Sequence, residues 1–402
     1  MAAVATIWRD PVLRPVAAAL FALGAGIGSY APYQSLIATG GLGIGNRAYA
    51  AVLVIASLVA AGGAVSIGIL SDRRGNRRRL AAASAVSWLA GPVLMTFYPS
   101  QASFVLAHAL FIPLGGTLFG QFFVLARIAA ARHPATERAG IQASIRAAFA
   151  APFILILPLW SVAIRAGAPL LAVYPVLGLA GVAVLCLVLR HWPPDEDDSS
   201  RDASGVQFGA ALAEMAHPGI LLRLMAVGLL KAGPALYMVL IGLVLTGAGR
   251  SQGDVALFAG LVAGGEIPVM LATGWLLGRI RRTTLIALAA LVYAAFLAGF
   301  TFAAGSPLLW VFVIPAAAGA GIILSVPLGY LQDLIAHRPG AGGSLIALHQ
   351  FAGDATAAAA FAAGTSAGGL PGAALAGAAI VAAGGMTLWL IGRGNQAVPG
   401  RP

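Results

Sequence analysis

The sequence predicts an all-α integral membrane protein with twelve transmembrane helices in two pseudo-symmetric six-helix bundles. Three observations carry that expectation. Hydrophobic residues make up 60% of the 402 and charged residues 9%, with a mean hydropathy of +0.91, whereas soluble domains carry about 25% charged residues. The apolar sequence falls into runs long enough to cross roughly 30 Å of hydrocarbon. A basic segment, Gly68-Ile-Leu-Ser-Asp72-Arg-Arg-Gly75-Asn-Arg-Arg-Arg79, divides two such runs, and a weaker copy, Gly274-Trp-Leu-Leu-Gly-Arg279-Ile-Arg-Arg282, lies 206 residues further on. An offset near half the chain length is the mark of two related halves.

Composition narrows the function. The net charge of +11 could serve nucleic acid, but the arginines sit in short clusters beside apolar runs, which is a topology signal. No nucleic-acid partner is expected. The 52 glycines and 23 prolines are tolerated in spanning helices that pack closely, kink or line a cavity. Cys186 is the single cysteine and lies in an apolar run, so it offers neither a disulfide nor a thiolate metal cluster.

Taken in order, residues through Arg14 read as a short cytoplasmic leader. Apolar sequence then continues to about Ile37, too long for a signal-peptide core, and is an uncleaved first span. Further spans are expected near Ala48 to Leu70, Leu80 to Phe97, Ser103 to Ala129, a fifth ending near Ile164, and Leu170 to Leu189. The polar stretch His191-Trp-Pro-Pro-Asp-Glu-Asp-Asp-Ser-Ser-Arg-Asp202 is a flexible linker. The second half places spans near Pro218 to Leu245, Val255 to Leu277, Leu285 to Phe302, Leu308 to Leu334, Leu345 to Ala363 and Ala373 to Ile391. The domains are therefore residues 1–190, a cytoplasmic linker at 191–216, residues 217–393, and a cytoplasmic tail at 394–402. Inter-span segments are short, and no Gly-rich phosphate loop ends in Gly-Lys-Ser or Gly-Lys-Thr; an enzyme is not expected.

Orientation follows from the basic residues. With both termini inside, the cytoplasmic face collects eighteen arginines, from Arg9 and Arg14 through the cluster at 73–79 to Arg393 and Arg401, against Arg47, Arg165 and Arg250 outside. That imbalance fixes the sidedness.

Charges inside spans are expensive, so they face the bundle interior, pair, or carry ions. Arg146, Arg223 and Lys231 are the basic residues left within spans, with Glu266 and Asp354 opposing them and Asp333 and Glu214 near span ends. Glu266 sits in Gly264-Gly-Glu-Ile-Pro268, where the proline frees a carbonyl one turn back. It carries a coupling proton, forms a permanent pair with Arg223 or Lys231, or binds substrate directly. Asp354 follows Gln350 by four residues, which places both on one helical face. Tyr30 with Gln34, and Gln142 with Arg146, repeat that spacing, and Gln121, Lys231 and Tyr237 join the candidate lining. Aromatic rings with amides and charges suit a carbohydrate cavity, although Tyr30 and Gln121 are equally readable as packing groups. His349 lies too far around its helix to pair with Asp354. There is no His-Glu-x-x-His arrangement and no carboxylate cluster, so neither metal nor cofactor is expected. At the basic segment, Asp72 can accept bonds from arginines while glycines tighten the turn. This is either a conformational latch or topology alone.

The segment containing Gly68, Leu70, Asp72, Arg73, Gly75, Arg77 and Arg78 resembles the signature loop of the major facilitator superfamily, Gly-x-Leu-x-Asp-Arg-x-Gly-Arg-Arg. That resemblance implies alternating access by two six-helix halves around a midplane site. More narrowly, Ser71 to Leu80, Leu125-Ala-Arg127 with Ser144-Ile-Arg146, Gly265-Glu-Ile-Pro268 with Met270-Leu271, and Tyr330-Leu-Gln-Asp-Leu334 are similar to the bacterial sugar efflux transporters. The likeness implies a proton-driven exporter of small sugars or glycosides, monomeric, in the bacterial inner membrane and surrounded by lipid. It carries Arg146, Glu266, Gln332 and Asp333 over most directly, and adds Arg127, Gln332 and Asp333 to the latch. A multidrug or other polar-metabolite exporter of the same fold is the alternative. A non-transporting membrane sensor is the reading from another class.

Overall fold

The computed structural model describes residues 2–74, 76–193, 218–334 and 342–394. Every regular element among them is helical, and eleven helices are long and apolar enough to cross a membrane. The expected linker from 194 onward and the tail from 395 lie outside the described residues.

The leader is itself structured. Helix α1 (Ala2–Arg9) precedes α2 (Leu13–Tyr30), with Ile7 buried and Trp8 exposed. Asp10 holds the corner: its Oδ1 accepts the amides of Val12 and Leu13, each at 2.8 Å, and its Oδ2 meets His133 Nε2 at 2.9 Å. Burial alone would raise the Asp10 carboxyl, but the Leu13 amide, His133 and the Val12 amide outweigh it and hold it below the ordinary carboxylate value. A depressed carboxylate contributes stability above its unfolded pKa and loses it as pH falls through the lowered one. The Asp10 corner is therefore a neutral-pH device that acid removes. Thr6 adds a bond from its Oγ1 to Glu137 Oε2 at 3.1 Å.

The first compact unit holds the spans up to His191 except Gly45–Ser57, which groups with the spans from Pro218 onward. In the first unit, α2 tightens into a 3-10 turn at Ala31–Tyr33 and then widens into a π-turn at Leu36–Gly41. Helix α3 (Asn46–Arg74) leads through the basic segment to α4 (Arg77–Phe97). Helix α5 (Gln101–Ala130) starts where Ser100 accepts the Ser103 amide and carries a second π-turn at Ala107–Phe111. Helices α6 (Ala135–Arg165) and α7 (Val173–His191) pack against α2, and α4 packs against α5 and α7.

The second unit contains α8 (Pro218–Gly247), α9 (Gln252–Leu277), α10 (Arg282–Ala303), α11 (Val313–Leu334) and α12 (Gly342–Gly394). A capping box between Ser251 and Asp254 starts α9, satisfying amides that the helix leaves free. Arg250 donates to the carbonyls of Ala304 at 3.0 Å and Ser306 at 2.6 Å, tying down the end of α10. Helix α12 packs on α8 and α10, while α11 packs on α9 and α10. Tyr49, from the Gly45–Ser57 segment, sets its ring edge-on to Phe361 at 5.9 Å.

Helix α12 is broken. Gly368 and Gly369 leave helical geometry, with Gly369 at φ 64° and ψ −155°, a region open to glycine and closed to side chains with a Cβ. The chain folds back there, because Gly364 lies against Gly372 and Ala373; nine residues of unbroken helix would hold Gly364 and Ala373 about 13 Å apart.

Outward-facing leucines and isoleucines such as Leu179, Leu271 and Ile314 replace the polar coat of a soluble protein. Near helix ends, Arg279 stacks on Trp275 at 4.0 Å and Arg393 on Trp389 at 3.7 Å. Trp and Arg at such positions suit the membrane interface.

Candidate functional site

Three ionisable groups stand near the middle of helices in the second unit. Lys231 on α8, Glu266 on α9 and Asp354 on α12 each lie about 17 to 24 Å from either end of their helical segment at 1.5 Å per residue. Lys231 Nζ donates to Asp354 Oδ1 at 3.1 Å, with the two side chains 21% and 42% exposed. Two glycines permit the pair. A Cβ at Gly353 would stand 2.6 Å from Lys231 Cγ and 3.0 Å from the Gly228 carbonyl oxygen, and one at Gly228 would stand 2.8 Å from Ala352 Cβ. The lysine stem thus lies across bare backbone, and α8 meets α12 closely enough for the ammonium to reach the carboxylate. Gln350, one turn along α12, is exposed.

Lys231 therefore pairs with Asp354 and not with Glu266. Glu266 is half-buried, and among the described residues no ion pair joins it. Arg223, the other proposed partner, donates to the Gly219 carbonyl at 3.3 Å and faces the Tyr330 hydroxyl, while its Nε is buried without a partner. Glu266 is instead the acidic neighbour of Tyr237 and Tyr293. Tyr237 is 2% exposed, its ring among Phe258, Phe296 and Phe300 and its hydroxyl unpartnered. In this conformation it is an aromatic-core residue rather than part of an open lining. His349 is buried, in keeping with a packing role.

In the first unit, the Gln121 amide donates to Ser84 Oγ at 3.0 Å, and Ser84 meets Thr117 Oγ1 at 3.0 Å. That network uses Gln121 to fasten α5 to α4, the packing alternative. Gln142 has its amide nitrogen buried without a partner, and Arg146, one turn along α6, is exposed. Tyr30 and Gln34 are half-buried, but the 3-10 turn between them replaces the regular α turn that their spacing implied.

Sequence reasoning missed His108. It is 3% exposed on the π-turn of α5, with Nε2 2.9 Å from the Tyr174 hydroxyl, its ring stacked on Phe104 at 4.2 Å and tilted to Tyr30 at 5.4 Å. Single-turn π segments recur at functional positions. The available signal was a histidine inside an apolar run.

At the basic segment, Arg77 Nε donates to Ser71 Oγ at 3.2 Å, and Arg78 donates to the Leu189 carbonyl of α7. Arg127 is exposed. Gly68 does not tighten a turn: α3 continues helically to Arg74, and a Cβ at Gly68 meets open space. Gly68→Ala is accordingly expected to raise thermal stability slightly, by about 0.5–1 kcal/mol, in an unfolding measurement on purified protein. Gly75, and the side chains of Asp72, Arg73, Gln332 and Asp333, lie outside the described residues.

Eleven helices long and apolar enough to cross a membrane, with charges at mid-span, give the class, a multi-pass membrane protein. The sequence profile of the Major Facilitator Superfamily matches residues 16–360, and the chain belongs to that superfamily. Two solved structures share the fold. A point mutant of the nucleoside transporter NupG superposes with a TM-score of 0.75 at 12% identity, covering 96% of this chain and 99% of that one. NupG itself superposes with a TM-score of 0.74 at 10% identity, covering 95% and 98%. No curated protein matches the sequence.

Proposed function

We propose that this protein is a proton-coupled secondary transporter that exports small sugars or glycosides from the cytoplasm by alternating access. The observation that carries the proposal is the Lys231–Asp354 pair at mid-span, with a second carboxylate, Glu266, at the middle of a neighbouring span, the depth at which such transporters bind substrate and coupling ion. Counting the two arms of α12 on either side of Gly369 as separate spans gives twelve, in two sets of six. The arginine distribution supports cytoplasmic termini, and the likeness to the sugar exporters supports a monomer in the bacterial inner membrane. Glu266, with Asp354, takes up the coupling proton. Tyr30, Gln34, Gln121, Gln142, Arg146, Lys231, Tyr237 and Gln350 supply the substrate contacts of the cycle, Tyr237 by leaving its aromatic cluster and Gln121 by leaving its bond to Ser84 in another conformation. The segment from Gly68 to Arg77, with Arg127, Gln332 and Asp333, forms the latch between states.

The test is flux by purified protein in liposomes under an imposed pH gradient, offered labelled lactose, a glucoside, uridine and a cationic dye in turn. Gradient-dependent sugar flux is expected. Uridine flux alone would move the substrate to the nucleosides named for the structural neighbour, a second reading that the shared fold favours. Dye flux alone would leave a multidrug exporter, and no flux of any probe would sink the transport reading in favour of a sensor.

A further inference from the structure

We infer that the Lys231–Asp354 pair, together with Gln350, is a recognition site for a vicinal diol on a neutral ligand. The inference rests on the transport reading above and names the chemistry of its substrate. An ion pair at mid-span whose carboxylate is 42% exposed would be costly against hydrocarbon, so its open side faces water. Only part of its hydrogen-bonding capacity is used within the pair: the ammonium carries three donors and the carboxylate two oxygens, and one donor and one oxygen are engaged. Gln350, exposed one turn away on the same helix, adds a donor and an acceptor.

The pair is electrically neutral, so it offers no net attraction to a cation or an anion. It favours a group that donates and accepts at once. Two adjacent hydroxyls do this, their oxygens set about one hydrogen-bond length apart, about 2.8 Å, close to the 3.1 Å from Nζ to Oδ1. One hydroxyl donates to the carboxylate while its neighbour accepts from the ammonium, and both bonds are charge-assisted. Sugar rings and the ribose of a nucleoside share this chemistry.

The experiment is calorimetric binding to the full-length protein in nanodiscs, without a gradient, using methyl glucoside, its 2,3-di-O-methyl ether, uridine and 2′,3′-dideoxyuridine. A diol is expected to bind at least about tenfold more tightly than its blocked or deoxygenated analogue, since sites built to bond hydroxyls reject ligands lacking them. Methyl glucoside and uridine distinguish the two sources. Asp354→Asn and Lys231→Met should each remove that preference. Gln350→Ala, at an exposed position, should weaken diol binding by about tenfold, the size of one lost hydrogen bond to a neutral group, about 1.4 kcal/mol. Equal binding of diol and blocked analogue, no binding of either, or full discrimination retained in Gln350→Ala and in folded Asp354→Asn would each overturn the inference. Diol binding without vesicle flux would keep it and sink the transport reading; flux without diol preference would do the reverse.

Discussion

Glu266→Gln is expected to uncouple transport from protons. Glutamine has the shape and neutrality of a protonated glutamate and cannot release the proton, so the variant stays in the loaded form. Gradient-driven flux in vesicles should fall at least tenfold, corresponding to about 1.4 kcal/mol of lost coupling, while exchange of substrate across the membrane continues. No cation pairs with Glu266 among the described residues, so the substitution strands no partner and leaves the fold intact. Coupled proton flux equal to that of the native protein would remove Glu266 from the proton pathway and leave Asp354 to carry it.

Gly353→Val carries the largest structural effect. The new Cβ would overlap the Lys231 stem at 2.6–2.7 Å and approach the Gly228 carbonyl at 3.0 Å. A flexible stem can move; the backbone of a packed helix cannot. Helices α8 and α12 must separate, at a cost of about 3 kcal/mol, the upper end for overpacking, and Lys231 must let go of Asp354. Purified protein in detergent should unfold several degrees lower, with diol binding lost as well. Gly116→Val supplies the control, since a Cβ there meets nothing within 4 Å. Equal unfolding temperatures for the two variants would show that the α8–α12 contact is looser than the spacing implies.

The spans were legible in the sequence because a membrane demands length and apolarity, both of which can be read locally. What faces what was harder to read. A spanning helix is apolar all round, so periodicity says little about which face meets lipid and which meets protein. Two carboxylates at similar depth were available to Lys231, and only the close approach at Gly228 and Gly353 selects Asp354. His108 escaped notice for a related reason: its partners Tyr174 and Tyr30 are remote in sequence, and the π-turn that holds it has no simple residue signature. Helix α1 was hidden by brevity, since eight residues form a stable helix only when docked, and its fastening by Asp10, Thr6, His133 and Glu137 is tertiary. Gly68 misled by association with its neighbours, because a glycine in a motif invites a turn where the backbone is an ordinary helix.

The reversal at Gly368 and Gly369 bears on biogenesis. The arms of α12 share almost no connecting chain, so neither can settle in a bilayer while the other waits in water. They must leave the insertion machinery as a paired unit, with their backbone groups satisfied within each helix before the turn meets the far interface. A bulky residue at Gly369 would therefore act first during synthesis, by delaying hairpin closure while the chain is still being delivered, and only afterwards on the finished protein.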